Sequence, residues 1–207
     1  MTQTIETLRA VPGRVAVSDQ GAYKQALAKF PTGVAVVTAL NRAGKPIGLT
    51  VNSFVSISLE PAIVSWSLRL KSSLYEHFAE AGSFVVNVLA ADQSELATQF
   101  ATRGEDRFEG VCWSSGACGD PVLAGAVATF QCEEVSSLLV GDHMVFFGGV
   151  VAFSGFAGEP LFMHSGKVIN GKGSHKPAKE VATKPVAAPE FQSLDFVERG
   201  IGCGLIF

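Results

Sequence analysis

Nowhere in this 207-residue sequence does an uninterrupted apolar run approach the roughly 18 residues that a membrane-spanning helix requires. A helical membrane protein is therefore not expected. The opening MTQTIETLRAVPGRVAVSDQ lacks the contiguous apolar stretch of a secretory signal, so the expected compartment is the cytoplasm. Charge is scarce as well, at 17% of residues, with 16 Lys plus Arg against 19 Asp plus Glu for a formal charge of −3. With no dense basic stripe, the chain offers little to a phosphate backbone, and nucleic acid is not the expected partner. The four cysteines, Cys112, Cys118, Cys132 and Cys203, make no Cys-x-x-Cys pair. A chain this long does not need staples, so they are expected to be reduced and to serve as small hydrophobes. No internal repeat is present.

What is there is an ordinary globular composition, 47% apolar, of a size that suits one domain with a sizeable core. Residues 1–17, punctuated by Pro12 and Gly13, read as an arm. Ser18 or Asp19 can cap a helix through about Phe30, with Ala22, Ala26, Leu27 and Phe30 on one face. Residues 34–40, 47–51, 54–59 and 62–68 are short β-branched or alternating runs broken by Asn41, Gly44, Pro46 and Pro61, which predicts antiparallel neighbours. A second helix is expected from Ser72 or Ser73 to Ala81, with Leu74, His77, Phe78 and Ala81 sharing a face. A strand follows over residues 84–89, then a third helix from an Asp92 cap to about Ala101.

Residues 126–135 and 143–153 read as hairpin arms with Gly141 and Asp142 in the turn, and residues 136–140 stay open between strand and loop. The stretch 170–190, with three prolines and four lysines, reads as a linker, and the apolar close over residues 196–207 as a docking tail. The division is thus an arm over 1–17, a folded domain over 18–168, and a linker with tail over 169–207. Many short antiparallel strands with two or three peripheral helices predict a mainly β, α+β fold of barrel-like, Greek-key character.

Several chemistries fail on inspection. The run from Gly166 to Lys172 meets the first seven positions of a P-loop, but Gly173 stands where a hydroxyl must hold the metal ion, and Pro177 forbids the long helix that should follow. No Gly-x-Gly-x-x-Gly follows a strand, and neither a Gly-x-Ser-x-Gly elbow nor a His-Glu-x-x-His helix occurs. The neighbours Glu105 with Asp106 and Glu133 with Glu134 read as solvated faces. His77, His164 and His175 receive no role.

More informative is Gly48 to Pro61, where hydroxyl and amide side chains recur along strand-like sequence. Read blandly it is a sheet edge with solvated Ser and Thr; read functionally it suits a planar ligand with many hydrogen-bonding edge atoms. Then, over Ser65 to Ser73, a strand gives way to a helix whose N-terminal amides, hydroxyls and Lys71 can together hold a phosphate, against the simpler reading of a helix cap.

These segments carry a resemblance. Phe30 to Thr38, Gly48 to Pro61, Lys71 to Ser73, Phe84 to Leu89, Asp106 to Phe108 with Trp113, Gly125 to Cys132, and Gly141-Asp142-His143 ahead of Gly149 occur in an order and spacing similar to the flavin reductase family. This family has the FMN-binding split barrel and supplies the small reductase components of two-component flavin-dependent monooxygenases. The resemblance covers roughly residues 20–168. It implies that Thr50, Val51, Asn52 and Ser53 lie along the isoalloxazine and ribityl chain, and that Ser67, Leu68, Lys71, Ser72 and Ser73 lie on the phosphate side, with Arg107 adding charge there.

It further implies that His143 lies by the nicotinamide of NADH or NADPH as a positioning group, because hydride passes directly to flavin N5 and the task is geometric. The expected activity is NAD(P)H:flavin oxidoreduction on FMN or FAD, with a homodimer as the assembly and a larger oxygenase as the consumer of reduced flavin. Alternatives are an FMN-holding relay or sensor without nucleotide turnover, or a reductase of a larger substrate such as a corrinoid.

Overall fold

The computed structural model describes residues 19–104 and 106–170. The arm 1–17, the tail 196–207 and the linker beyond Asn170 lie outside the described residues. The β-branched runs become β1 (Thr32–Gly33), β2 (Ala35–Leu40), β3 (Pro46–Val51), β4 (Val55–Leu59), β5 (Ala62–Arg69) and β6 (Ser83–Val88). The later chain adds β7 (Trp113–Ser115), β8 (Pro121–Leu123), β9 (Ala128–Val140), β10 (His143–Gly155), β11 (Leu161–His164) and β12 (Lys167–Asn170). Three helices, α1 (Gln20–Leu27), α2 (Tyr75–Ala79) and α3 (Ser94–Ala101), lie among them.

Seven strands form one antiparallel sheet in the order β3-β2-β6-β9-β10-β5-β4. Its outermost members, β3 and β4, are joined by only Asn52, Ser53 and Phe54. So short a link spans at most about 14 Å, which forces the sheet to curl until its two edges approach. Ser53 fastens the seam: its Oγ accepts the Ser67 N–H at 3.0 Å and donates to the Ser67 carbonyl at 3.3 Å. The outcome is a barrel, as the strand pattern predicts, split between β3 and β4, as the resemblance implies.

Period-two alternation explains why β2 is buried on both faces. Ala35, Val37 and Ala39 face the barrel interior with Trp66, Phe84 and Phe146, while Val34 and Val36 meet an outer layer of Leu89, Phe100, Leu123 and Leu161. Trp66 centres the interior, stacked on Phe146 at 4.7 Å and edge-on to Phe78 at 5.0 Å.

Several expectations need correction. Asp19 does cap α1, its carboxylate accepting the Ala22 N–H at 2.9 Å, but no residue of the helix is buried, Ala22, Ala26 and Leu27 are exposed, and Phe30 beyond it is 76% exposed. Helix α2 begins at Tyr75 rather than Ser72, since Ser72 is spent in a turn whose Oγ accepts the Leu74 N–H at 3.3 Å. Asp92 does not cap α3; Gln93 precedes that helix, and its side chain accepts the Ala90 N–H. Residues 136–140 continue as strand, Ser136 and Ser137 pairing with Phe147 and Phe146. Cys112 and Cys118 are exposed in the approach to β7 and the β7–β8 turn, so only Cys132 acts as a core hydrophobe among the described cysteines. The P-loop-like run enters a tight turn at Ser165 and Gly166, both at positive φ, and continues as β12.

Glu134 is not a solvated face. It is half-buried at an irregularity in the β9–β10 ladder, with Oε1 lacking any hydrogen-bond partner among the described residues, and burial pushes its carboxyl up to about 6 against the Ser137 hydrogen bond. Between its ordinary 4.5 and about 6, the folded state holds more proton than the unfolded, so stability falls as pH rises through that interval. Glu134→Gln is therefore expected to raise stability by about 1–2 kcal/mol at pH 7.5 and to leave it unchanged near pH 4. Urea midpoints at the two pH values check this, and an equal effect at both would discard burial as the cause.

Candidate functional site

Two of the segments singled out in the sequence, Gly141 to His143 and Ser65 to Ser73, meet where β5 and β10 pair. Gly141, at φ +61°, makes the tight turn from β9 to β10, a conformation that costs glycine nothing. His143 then opens β10 directly opposite Arg69, the last residue of β5. The Asp142 carbonyl accepts the Leu70 N–H at 3.0 Å, tying this turn to the segment that continues into Lys71. His143 Nδ1–H donates to the Asp142 carboxylate at 2.8 Å, fixing the tautomer and leaving Nε2 as the other ring nitrogen. The same contact holds the fully exposed Asp142 carboxyl below its usual range.

One residue past Leu70 the chain enters the wall of a cavity of about 340 Å³ that includes Lys71, Ser73, Arg107 and Gly48, together with Lys45 and Arg103. Arg107 braces it: Nη1–H donates to the Gly48 carbonyl at 3.0 Å and Nε–H to the Thr102 carbonyl at 2.9 Å. Partial burial lowers the guanidinium's pKa from its ordinary value. Gly48 has no room for a side chain, since a Cβ would sit 2.7 Å from the Phe100 ring that anchors α3 on β3. Because α2 spans five residues and starts at Tyr75, the cavity's anion-holding capacity rests on these side chains rather than on a helix end.

The β3 stretch continues from the cavity. The Gly48 carbonyl faces away from β2 to meet Arg107, and the two-residue alternation of an antiparallel edge puts the Thr50 backbone on the same open side. The Thr50 hydroxyl donates to the Ala97 carbonyl at 2.6 Å, so that side chain belongs to the α3 contact and its main chain is what a ligand would meet. Val51 and Leu68 are core residues, Asn52 is exposed at the seam, and Ser53 and Ser67 bond each other. The structure thus brings Lys71, Ser73 and Arg107 into one cavity. It sets Thr50 to Ser53 along the strand that leaves this cavity, and His143 one strand pair away from the Lys71 segment.

Sequence spacing gives no sign of Lys45, Arg103 or His77 at this cavity, because they arrive from the β2–β3 turn, the loop after α3 and the exposed side of α2. A larger groove, of about 780 Å³, lies elsewhere among Ala90, Trp113, Ala124 and Phe156. Its walls include Trp113 and Gly125 but none of Thr50 to Ser53, Lys71 to Ser73, Arg107 or His143, and no Lys or Arg side chain, so the smaller cavity is the better candidate for an anionic ligand. No helix among the described residues is long and apolar enough to cross a membrane.

A split antiparallel barrel, a basic cavity and an imidazole oriented by its neighbour are the arrangement that the resemblance to the flavin reductases implies. The sequence model of the flavin reductase like domain matches residues 27–171, well over half of the chain, and the protein belongs to that family. It is 41% identical over 144 residues to the FMN reductase (NADH) SmoA of Agrobacterium fabrum, spanning 70% of this chain and 82% of that one. To the reductase component of the flavin-dependent trigonelline monooxygenase of Acinetobacter baylyi it is 39% identical over 137 residues, 65% of this chain but 44% of the relative's length. Among solved structures, the NADH:FAD oxidoreductase SgcE6 of Streptomyces globisporus C-1027, in complex with NAD and FAD fragments, superposes with a TM-score of 0.72 at 32% identity. That match covers 76% of this chain and 96% of that one.

Proposed function

We propose that the protein transfers hydride from NADH or NADPH to FMN or FAD and releases the reduced flavin to a larger oxygenase. The observation that carries this reading is the convergence of Lys71, Ser73 and Arg107 in one cavity from which β3 leads to Asn52. Gly48 and Asn52 stand four residues apart, about 13 Å along a strand, a length suited to a flavin ring with its ribityl phosphate. Lys71 and the Ser73 hydroxyl hold the phosphate as charge-assisted donors, and Arg107 adds its field from the cavity wall.

The open backbone at Thr50 serves the pyrimidine edge of the ring, whose donors and acceptors main-chain groups can meet without any ionisable residue. Bound flavin supplies the hydride acceptor at N5. His143, oriented by Asp142, positions the nicotinamide against that atom and needs no change of protonation to do so. The trigonelline monooxygenase component supports a partner oxygenase. The exposed Leu27 and Phe30 beside α1, and Val55, Ile57 and the 90% exposed Leu59 on β4, support a homodimer that covers them.

The test is nucleotide absorbance in a mixture of purified protein, FMN and NADH or NADPH. Flavin-dependent loss is expected with at least one nucleotide; none with either would leave only a flavin-holding module. Lys71→Ala is expected to weaken FMN binding about tenfold and riboflavin binding hardly at all, since riboflavin has no phosphate. Equal losses in a fluorescence titration would remove Lys71 from the phosphate site.

A further inference from the structure

The basic cavity holds more cationic side chains than one phosphate end engages. Lys71 and Arg107 face it with Ser73, yet Lys45 and Arg103 line it too, and the only carboxylate among its described walls is Asp106. Asp106 Oδ1 accepts the Phe108 N–H at 3.0 Å, so the cationic side chains of the cavity outnumber its one described carboxylate by four to one. Neighbouring Arg42 pairs with Glu80 at 3.1 Å, whereas neither Lys45 nor Arg103 makes an ion pair among the described residues. The turn bearing Lys45 is also held in place, because the Asn41 side chain accepts the N–H groups of both Ala43 and Lys45.

We propose that Lys45 and Arg103 form the seat of the second phosphate of FAD, making the chain a reductase that favours the dinucleotide over FMN. The proposal rests on the flavin reading above, with the first phosphate held by Lys71 and Ser73. A diphosphate linkage leaves its second phosphorus no freedom to go far: wherever the first is held, the next lies one bridging oxygen away. Cations that share a cavity of about 340 Å³ with the first phosphate's holders are therefore the groups it meets. A phosphate on the ribose of a nicotinamide nucleotide has no such tether to this place. Beyond the diphosphate, His77 on α2 and Phe108 also line the cavity, side chains of the planar kind on which an adenine stacks.

The experiment is equilibrium binding of riboflavin, FMN and FAD to the full chain, followed by flavin fluorescence, for the wild type, the Lys45→Ala/Arg103→Ala double variant and Lys71→Ala. FAD is expected to bind the wild type several-fold more tightly than FMN. The double variant is expected to lose about tenfold for FAD and no more than about threefold for FMN, because both side chains are exposed and act in part through a screened field. Lys45→Arg should retain the FAD preference.

Equal losses for the two flavins, or an FAD affinity that does not change, would overturn the seat while leaving the flavin site intact. So would a double variant whose KM rises for NADPH but not NADH at unchanged FAD affinity, since the cations would then read the nucleotide's extra phosphate. A wild type that binds no flavin, or a Lys71→Ala variant that affects riboflavin and FMN alike, would remove both readings together.

Discussion

Asn87→Ala is expected to cost about 3–5 kcal/mol and to lower the thermal midpoint by about 10 °C. Asn87 sits on β6 with no exposed surface, and its side chain uses its donors and its acceptor. Nδ2–H groups donate to the Val36 carbonyl at 3.1 Å and to Thr38 Oγ1 at 3.0 Å, while Oδ1 accepts the Leu123 N–H at 2.9 Å. Thr38 passes the chain of bonds on by donating to the Pro121 carbonyl. The two acceptors on β2 and the Leu123 N–H on β8 lie where water does not reach, so truncation leaves buried polar groups unpaired as well as a void.

The consequence extends to the site. The β7–β8 hairpin held by Asn87 carries Trp113, which packs edge-on against Phe108 at 6.2 Å, the residue that follows Arg107. Thr38→Ser, which keeps the hydroxyl and removes one methyl, should cost only about 1 kcal/mol. Chemical denaturation of the variants decides the matter. A loss under about 1.5 kcal/mol for Asn87→Ala would show that the hairpin is held by apolar contact alone.

Why some of this was legible in the chain and some was not follows from the range of each interaction. Strands β2 to β6 announce themselves through alternation and turn residues within a few positions, and the cap at Asp19 is a contact three residues long. The Gly141-Asp142-His143 turn is likewise local, and its place opposite Arg69 follows once β5 and β10 pair.

Burial is different. The apolar spacing of α1 correctly predicts a helix but not what that face meets, because amphipathic spacing reports a face and not its partner. Glu133 and Glu134 look alike in sequence, yet they alternate along β9, where the first is exposed and the second half-buried. Asn87 gives no linear sign that it bridges three elements.

The same limit applies to the site. Lys71, Ser73 and Arg107 could be singled out by their surroundings in sequence. Lys45 and Arg103 could not, because only closure of the barrel and the docking of α3 on Gly48 bring the β2–β3 turn and the loop after α3 to one cavity. Thr50 shows the reverse: a hydroxyl suited to a ligand is instead engaged by the Ala97 carbonyl, and the strand's open backbone remains.

His143→Ala is expected to slow hydride transfer about 100-fold while flavin affinity changes little, an effect of lost positioning rather than lost acid–base chemistry. Hydride moves between two stacked rings, so a small drift of the nicotinamide from its reactive distance costs rate steeply, and no proton need be taken by the protein in that step. The imidazole is suited to fix that ring because it is itself fixed, by the 2.8 Å bond to Asp142 and by its pairing with Arg69 and Val140 across two strands. Asp142→Asn, which weakens that orientation without removing the ring, should slow the step by about tenfold.

Single-turnover loss of oxidised-flavin absorbance, measured at saturating and subsaturating nucleotide, separates the outcomes. A positioning role lowers the saturated rate, a pure binding role raises only the nucleotide concentration needed, and a structural role lowers flavin affinity and thermal midpoint together. Because no catalytic proton is lost, the pH profile of the residual rate in His143→Ala should keep the wild-type shape. A variant that turns over nucleotide at the wild-type rate, with unchanged saturation, would end the assignment of His143 to the nicotinamide.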